Sequence, residues 1–411
     1  MAYFVSCLSS ALVDEPICAV VRDLPPCRRV TIAVSTIDHE RRQWSRAFDA
    51  LVDFSGELDL NRASQWGDRF EYDPHGLVHQ LTADDSVRWT DRISYSLQPL
   101  TVLIEVFDTT SGGLLAKAEF VRTFTSPSVI FEEWRTDDIK ANFYKPISAR
   151  DRRSVIVIPG AWGGYDWCNQ IASLIAAHGR PALALAYFDW RAEDGLPSSI
   201  DSIPLEYLQN AACRLHNETE VDSAWTGVIG MSKGAEYALA WASHDPDVDE
   251  LVALSPTLYA WESVREGGTP PVRSSWTYGG RPLPFLRFDA DQEFYDSLDK
   301  TLLKKFHDRA VKNASHGSSA RLPVENIMAR TLLVWQESDT LWPAGLMGIE
   351  IVRAMEESNK AALVKYVAAP GCGHAIFAAG VPANNVDASC RINGIAQTKI
   401  WCNVRRFLCL E

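Results

Sequence analysis

Thr226-Gly227-Val228-Ile229-Gly230-Met231-Ser232-Lys233-Gly234-Ala235 is the stretch on which the fold of this chain turns. Thr226–Gly230 is a short uninterrupted apolar run, the pattern of a strand buried on both faces. Ala235–Ala242 is alanine-rich and reads as a helix. Between them, Gly230-Met231-Ser232-Lys233-Gly234 matches G-x-S-x-G in the strand–turn–helix setting of a nucleophile elbow. Such a turn is sharp and its backbone strained, so the neighbours of the serine must be small. It lifts the hydroxyl clear of the sheet and puts a helix N-terminus beneath it, where partial positive charge favours a developing oxyanion. A plain glycine-rich turn is the competing reading; the flanking strand and helix argue against it.

Outward from the elbow the alternation repeats. Ser154–Ile158, Ala182–Tyr187, Leu251–Leu254, Thr331–Trp335 and Leu363–Val367 are further apolar strand candidates, with helices at about Asp166–His178 and Leu205–His216. Strands alternating with helices imply a mainly parallel sheet with right-handed crossovers. The stretch 262–325 is rich in proline, glycine and charge, fits no strand–helix unit, and reads as an insertion over the sheet edge. Before about residue 148 the texture differs. Short alternating runs such as Arg29–Val34, Ala47–Val52 and Leu100–Val106 suggest an antiparallel β-sandwich. Asp151-Arg152-Arg153 is a polar boundary. The expected division is an N-terminal β-sandwich over 1–148 and a catalytic α/β domain over 149–411.

The 411 residues suffice for two or three domains with a large core. With 46% hydrophobic and 23% charged residues, a disordered, collagen-like or small disulfide-framework chain is excluded. The formal net charge is −13 and there is no basic run, a poor match to nucleic-acid binding. No stretch of 18 apolar residues is present, so no membrane span is expected. Nine cysteines without metal-type spacing read as reduced thiols and give no metal site. The start lacks a basic segment before its apolar run, and Leu408-Cys409-Leu410-Glu411 is neither a peroxisomal signal nor a prenylation box. The expected location is the cytoplasm.

A serine nucleophile needs a base and an orienting acid, which follow it in this architecture as Ser, Asp or Glu, then His. Asp339 follows the strand Thr331–Gln336 and competes with Glu337; Asp339 is favoured. His374 lies in Pro370-Gly371-Cys372-Gly373-His374, after the strand Leu363–Val367. Histidines before Ser232 are in the wrong order, His244 ends the elbow helix too far away, and His307 and His316 precede the acid. Two backbone amides should form an oxyanion hole. One is that of Lys233; the other comes from Gly160-Ala161-Trp162-Gly163, with Ala161 and Trp162 both open. No nucleotide fingerprint is present and no cofactor is called for. Cys168 and Cys372 read as buried thiols, and most of the fourteen tryptophans as core.

These residues resemble the family of type I acyl-CoA thioesterases and bile acid-CoA:amino acid N-acyltransferases. The similarity rests on Ala182–Phe188, Ile203–Tyr207, the elbow with its Lys233-Gly234-Ala235-Glu236 ending, Leu322–Glu325, Asp339–Trp342 and Pro370–His374. In the first half, Leu58–Ala63 and Tyr72–Leu77 carry it. The resemblance implies a β-sandwich followed by an α/β-hydrolase domain acting on acyl thioesters of CoA or an acyl carrier protein, with Ser232, Asp339 and His374 as the triad. Amino-acid-transferring members tend to carry cysteine, so Ser232 leans toward hydrolysis. Ser338 replaces one of two adjacent carboxylates, and Ala375–Ala379 replaces an acidic, proline-containing stretch, which points to a divergent substrate. The expected activity is acyl thioester hydrolysis through a Ser232 acyl-enzyme. The alternatives are an acyltransferase with an amine or alcohol acceptor, a carboxylesterase or peptidase on the same fold, and a non-catalytic binding protein.

Overall fold

The computed structural model describes residues 2–6, 10–63, 75–83, 96–264, 273–288, 303–314, 317–382 and 390–410. Tyr72-Asp73-Pro74, His316 and parts of the 262–325 stretch lie outside the described residues. The chain divides into two units, Met1–Ser126 with Phe377–Cys402, and Pro127–Ile376 with Asn403–Glu411.

The first unit is built on a six-stranded sheet in the order Ser10–Leu12, Leu114–Thr123, Leu100–Asp108, Arg29–Ile37, Gln43–Leu51, Thr82–Ala83. Its neighbours run antiparallel, except that Ser10–Leu12 is parallel to Leu114–Thr123. The period-two pattern is clear in Arg29–Ile37, where Val30, Ile32 and Val34 are buried and the residues between them are not. One apolar face per strand fixes the register, since a slip by one residue would turn that face to water. Tyr3–Ser6, Ala19–Arg22 and Leu58–Asp59 form a separate antiparallel three-stranded sheet.

The second unit holds one eight-stranded sheet. Its strands are β1 (Val129–Arg135), β2 (Lys140–Pro146), β3 (Val155–Ile158), β4 (Ala182–Ala186), β5 (Gly227–Met231), β6 (Glu250–Leu254), β7 (Arg330–Gln336) and β8 (Val364–Ala369). They lie in the order β1-β2-β4-β3-β5-β6-β7-β8, and only β2 opposes the common direction. Every residue of β3, β4, β5 and β6 is buried, which is why they read as unbroken apolar runs. Between them run α1 (Asp166–Ala177), α2 (Glu206–His216), α3 (Lys233–His244), α4 (Leu303–Asn313) and α5 (Ala344–Glu357). This is an α/β-hydrolase fold.

The boundary differs from the sequence expectation. The short alternating strands before residue 148 place the hairpin β1–β2 with the sandwich, but β2 pairs with β4 from Lys140↔Ala186 to Tyr144↔Ala182. Its Ala141-Asn142-Phe143-Tyr144 run is buried on both faces, as an interior strand requires. The first unit also takes up Phe377–Cys402, late in the chain. Within the 262–325 stretch, Trp276–Tyr278 and Arg281–Pro282 join Ile203–Pro204 in a small sheet, and α4 follows.

Candidate active site

Four loops at the C-terminal ends of β3, β5, β7 and β8 bring the sequence-predicted residues together. At the end of β5, Ser232 sits at φ 56° and ψ −121°, a backbone region that non-glycine residues rarely occupy. Two hydrogen bonds hold it there: its N–H donates to the Leu254 carbonyl (2.8 Å), and its carbonyl accepts from Glu236 N–H (3.0 Å). The two glycines of the motif answer to close packing. A Cβ on Gly230 would strike the Gly234 carbonyl and lie 2.8 Å from Ala235 N. A Cβ on Gly234 would strike the Pro159 carbonyl and lie 2.8 Å from that of Ile158. The start of α3 is thus pressed against the end of β3.

His374 Nε2 lies 2.9 Å from Ser232 Oγ, and His374 Nδ1 lies 2.7 Å from Asp339 Oδ2. All three residues are buried. A carboxylate at Nδ1 keeps the neutral ring's proton on that nitrogen and leaves Nε2 as acceptor for the hydroxyl. Asp339 is itself anchored, its Oδ1 accepting from Leu341 N–H (2.8 Å) and Trp342 N–H (3.2 Å). Glu337, the rival acid, is exposed. Two residues the sequence reading passed over hold the histidine loop: the His374 carbonyl accepts from Ser255 Oγ (3.0 Å) and Gln336 Nε2 (3.1 Å). Ser255 is buried at φ 55° beyond β6, and nothing in its local sequence marks it.

The loop after β3 has its own internal contacts. Gly163 N–H donates to the Gly160 carbonyl (3.2 Å), so it is turned back into the loop. The Ala161 carbonyl accepts from Trp190 Nε1 (2.9 Å), and the Trp162 ring folds over Gly160. Lys233, as the first residue of α3, has an amide with no acceptor inside the helix. Cys168 is wholly buried on α1, and burial pushes its thiol well above the ordinary range. A buried, protonated thiol is inert, and Cys372 is wholly buried too.

The Lys233 side chain has a task apart from its amide. Its Nζ lies 2.7 Å from Glu236 Oε2 and 2.8 Å from Ser275 Oγ, over the Trp276 ring. Burial lowers the lysine pKa, with Glu236 opposing the fall. Glu236 Oε1 in turn accepts from Trp261 N–H (2.8 Å) and Trp276 Nε1 (2.6 Å). The pair therefore ties the first turn of α3 to the segment after β6. The signal in the sequence was the i, i+3 spacing of opposite charges on a helix. Trp261 packs on His307 of α4 (ring centroids 4.6 Å), His307 on Trp342 (5.8 Å), and Trp342 on His374 (5.7 Å). His307, which chain order excludes as the base, is thus joined to His374 through the Trp342 ring.

The C-terminal half of the chain matches a known profile. Residues 203–409 match that of the BAAT / acyl-CoA thioester hydrolase C terminal, and residues 14–135 match the acyl-CoA thioester hydrolase/BAAT N-terminal region. The chain belongs to the acyl-CoA thioester hydrolase/BAAT family. Among the relatives of this family member is acyl-coenzyme A thioesterase 1 of Rattus norvegicus, 27% identical over 368 residues, covering 88% of this chain and 82% of the rat protein. Another is acyl-coenzyme A thioesterase 5 of Mus musculus, 31% identical over 278 residues, covering 66% of this chain and 62% of the mouse protein. A solved arylesterase structure aligns at 16% identity with a TM-score of 0.40, covering 69% of this chain and 86% of that one. By its family match and its sheet topology, the family member is an α/β-hydrolase-fold enzyme of a thioester hydrolase family. No helix among the described residues is long and apolar enough to cross a membrane.

Proposed function

We propose that this enzyme hydrolyses acyl-CoA thioesters through an acyl-enzyme on Ser232. The observation that carries the proposal is the unbroken relay Asp339–His374–Ser232, with contacts of 2.7 and 2.9 Å, on a strained elbow. His374 Nε2 takes the Ser232 proton as Oγ attacks the thioester carbonyl. Asp339 holds the ring and stabilises the imidazolium. The oxyanion is met by the Lys233 amide and by one from Ala161 or Trp162; losing one such donor typically costs about 100–1,000-fold in turnover. The tetrahedral intermediate collapses, the C–S bond breaks, and His374 returns the proton to the departing thiolate. Water, deprotonated by the same nitrogen, then attacks the acyl-enzyme and releases the free acid and Ser232. The CoA thioester as substrate is carried over from the printed names of the relatives. Cys27, Cys168, Cys213 and Cys409 are free thiols, which accords with a reducing compartment such as the cytoplasm.

The test is intact-protein mass spectrometry after brief mixing with a panel of acyl-CoAs. A transient gain of one acyl mass, absent from Ser232→Ala, is expected, followed by free acid. Failure of every member to acylate the enzyme or release CoA refutes the proposal. Transfer of the acyl group to added amines or alcohols in place of water identifies an acyltransferase.

A further inference from the structure

His307 offers the site a second imidazole that the triad does not use. It lies on α4, 5% exposed, with Nδ1 donating to the Leu303 carbonyl one turn back (2.8 Å). That bond places the proton of the neutral ring on Nδ1 and leaves a lone pair on Nε2. Nε2 is the distal nitrogen, directed away from the helix, and has no hydrogen-bond partner among the described residues. Trp261, Phe288 and Trp342 stand edge-on around the ring, at centroid distances of 4.6, 4.7 and 5.8 Å. Trp342 links it to the reacting centre, since the Trp342 ring packs on His307 and on His374 (ring centroids 5.8 and 5.7 Å). Burial, with the like charges of Lys233 and His374, pushes its pKa down to about 4, and the ring stays neutral at physiological pH. An acceptor in an aromatic wall, without a partner among the described residues, is one that a ligand's donor can satisfy.

The geometry points to His307 as a substrate-positioning residue whose Nε2 accepts a hydrogen bond from the first amide N–H of the pantetheine arm of the thioester. This rests on the thioester reading above. The chemistry singles out that donor. An aliphatic acyl chain carries none, whereas the amide nitrogen lies three bonds from the sulfur in every pantetheine thioester, whether the remainder is CoA or a carrier protein. The bond holds the thiol arm against the aromatic wall while the carbonyl presents to Ser232.

The test compares an acyl N-acetylcysteamine thioester with its analogue in which the amide NH is replaced by oxygen, which removes only the donor. Wild-type enzyme is expected to favour the amide by about 10-fold in kcat/KM, what one hydrogen bond in a water-poor site supplies. His307→Phe should abolish the preference, losing rate on the amide chiefly through KM and little on the ester. His307→Gln, whose Oε1 can accept, should restore part of it. A residue of merely structural role would change both substrates alike. Equal wild-type rates on the two substrates, or equal losses in His307→Phe, overturn the proposal; should His307→Phe not fold, the wild-type ratio and His307→Gln still decide. A wild-type enzyme that cleaves neither thioester refutes the thioester reading itself and this proposal with it.

Discussion

Gly234→Ala sets two opposed effects against each other at the elbow. In an exposed helix the change would stabilise by about 1 kcal/mol, through helix propensity. Here the new methyl would strike the Pro159 carbonyl and lie 2.8 Å from the Ile158 carbonyl and 3.0 Å from Pro159 C. These are backbone atoms at the end of β3, and no flexible side-chain tip can yield. Overpacking of this kind costs about 1–3 kcal/mol, so the clash outweighs the propensity gain. The relief is for α3 to shift away from β3, or for the Pro159 loop to move. Either changes the spacing between the Lys233 amide and the amides of Ala161 and Trp162. A misplacement of about 1 Å among reacting groups can cost about 100-fold. Gly234→Ala should therefore lower the urea midpoint by an amount equivalent to up to about 2 kcal/mol net. Its kcat for acyl-CoA hydrolysis, followed by thiol release, should fall about 100-fold. A variant as stable as wild type with unchanged kcat would show that the loop and helix are not in contact as described, and the oxyanion assignment would lose its basis.

The acid assignment predicts an asymmetry between neighbours: Asp339→Asn should lower kcat about 1,000–10,000-fold by disturbing the tautomer, while Glu337→Gln, exposed and outside the relay, should stay within about 2-fold. Wild-type turnover by Asp339→Asn with loss in Glu337→Gln would reverse the choice of acid. The depressed pKa of His307 predicts an acid limb in stability. Its folded value, about 4, lies below the ordinary 6.5, so the unfolded state binds more protons between these values and stability falls as pH drops through that window. The full effect is roughly 3 kcal/mol, reached below pH 4, and His307→Phe should remove that share of the slope in urea titrations from pH 7 to pH 4. An unchanged slope would mean that His307 is not buried neutral.

What the sequence makes legible is local. The β5–turn–α3 unit announces itself because a strand, a strained serine and two packed glycines are contiguous. Asp339 and His374 follow from chain order and from glycine- or carboxylate-bearing loops after strands. The hairpin β1–β2 was misplaced because its strands alternate like the sandwich strands before them; only pairing with β4 shows that β2 is interior. Phe377–Cys402 gives no local sign of belonging with the first 126 residues, since that association is a long-range contact. His307 was set aside because chain order governs the triad, yet it says nothing about which other side chains a helix folds over the site.

The sequence by itself therefore determined the architecture of the α/β unit and named a candidate nucleophile, acid and base, because elbow geometry and strand burial are dictated by residues a few positions apart. Only tertiary structure decided that Ser232 and His374, 142 residues apart, meet at 2.9 Å, and that His374 and Asp339, 35 apart, meet at 2.7 Å. It alone brought Ser275 and Trp276, about 40 residues downstream, onto Lys233 and Glu236, and carried His307 onto Trp342, which packs on His374. Hydrogen bonds between distant loops depend on how the sheet sets the ends of its strands side by side, and no local pattern encodes that distance.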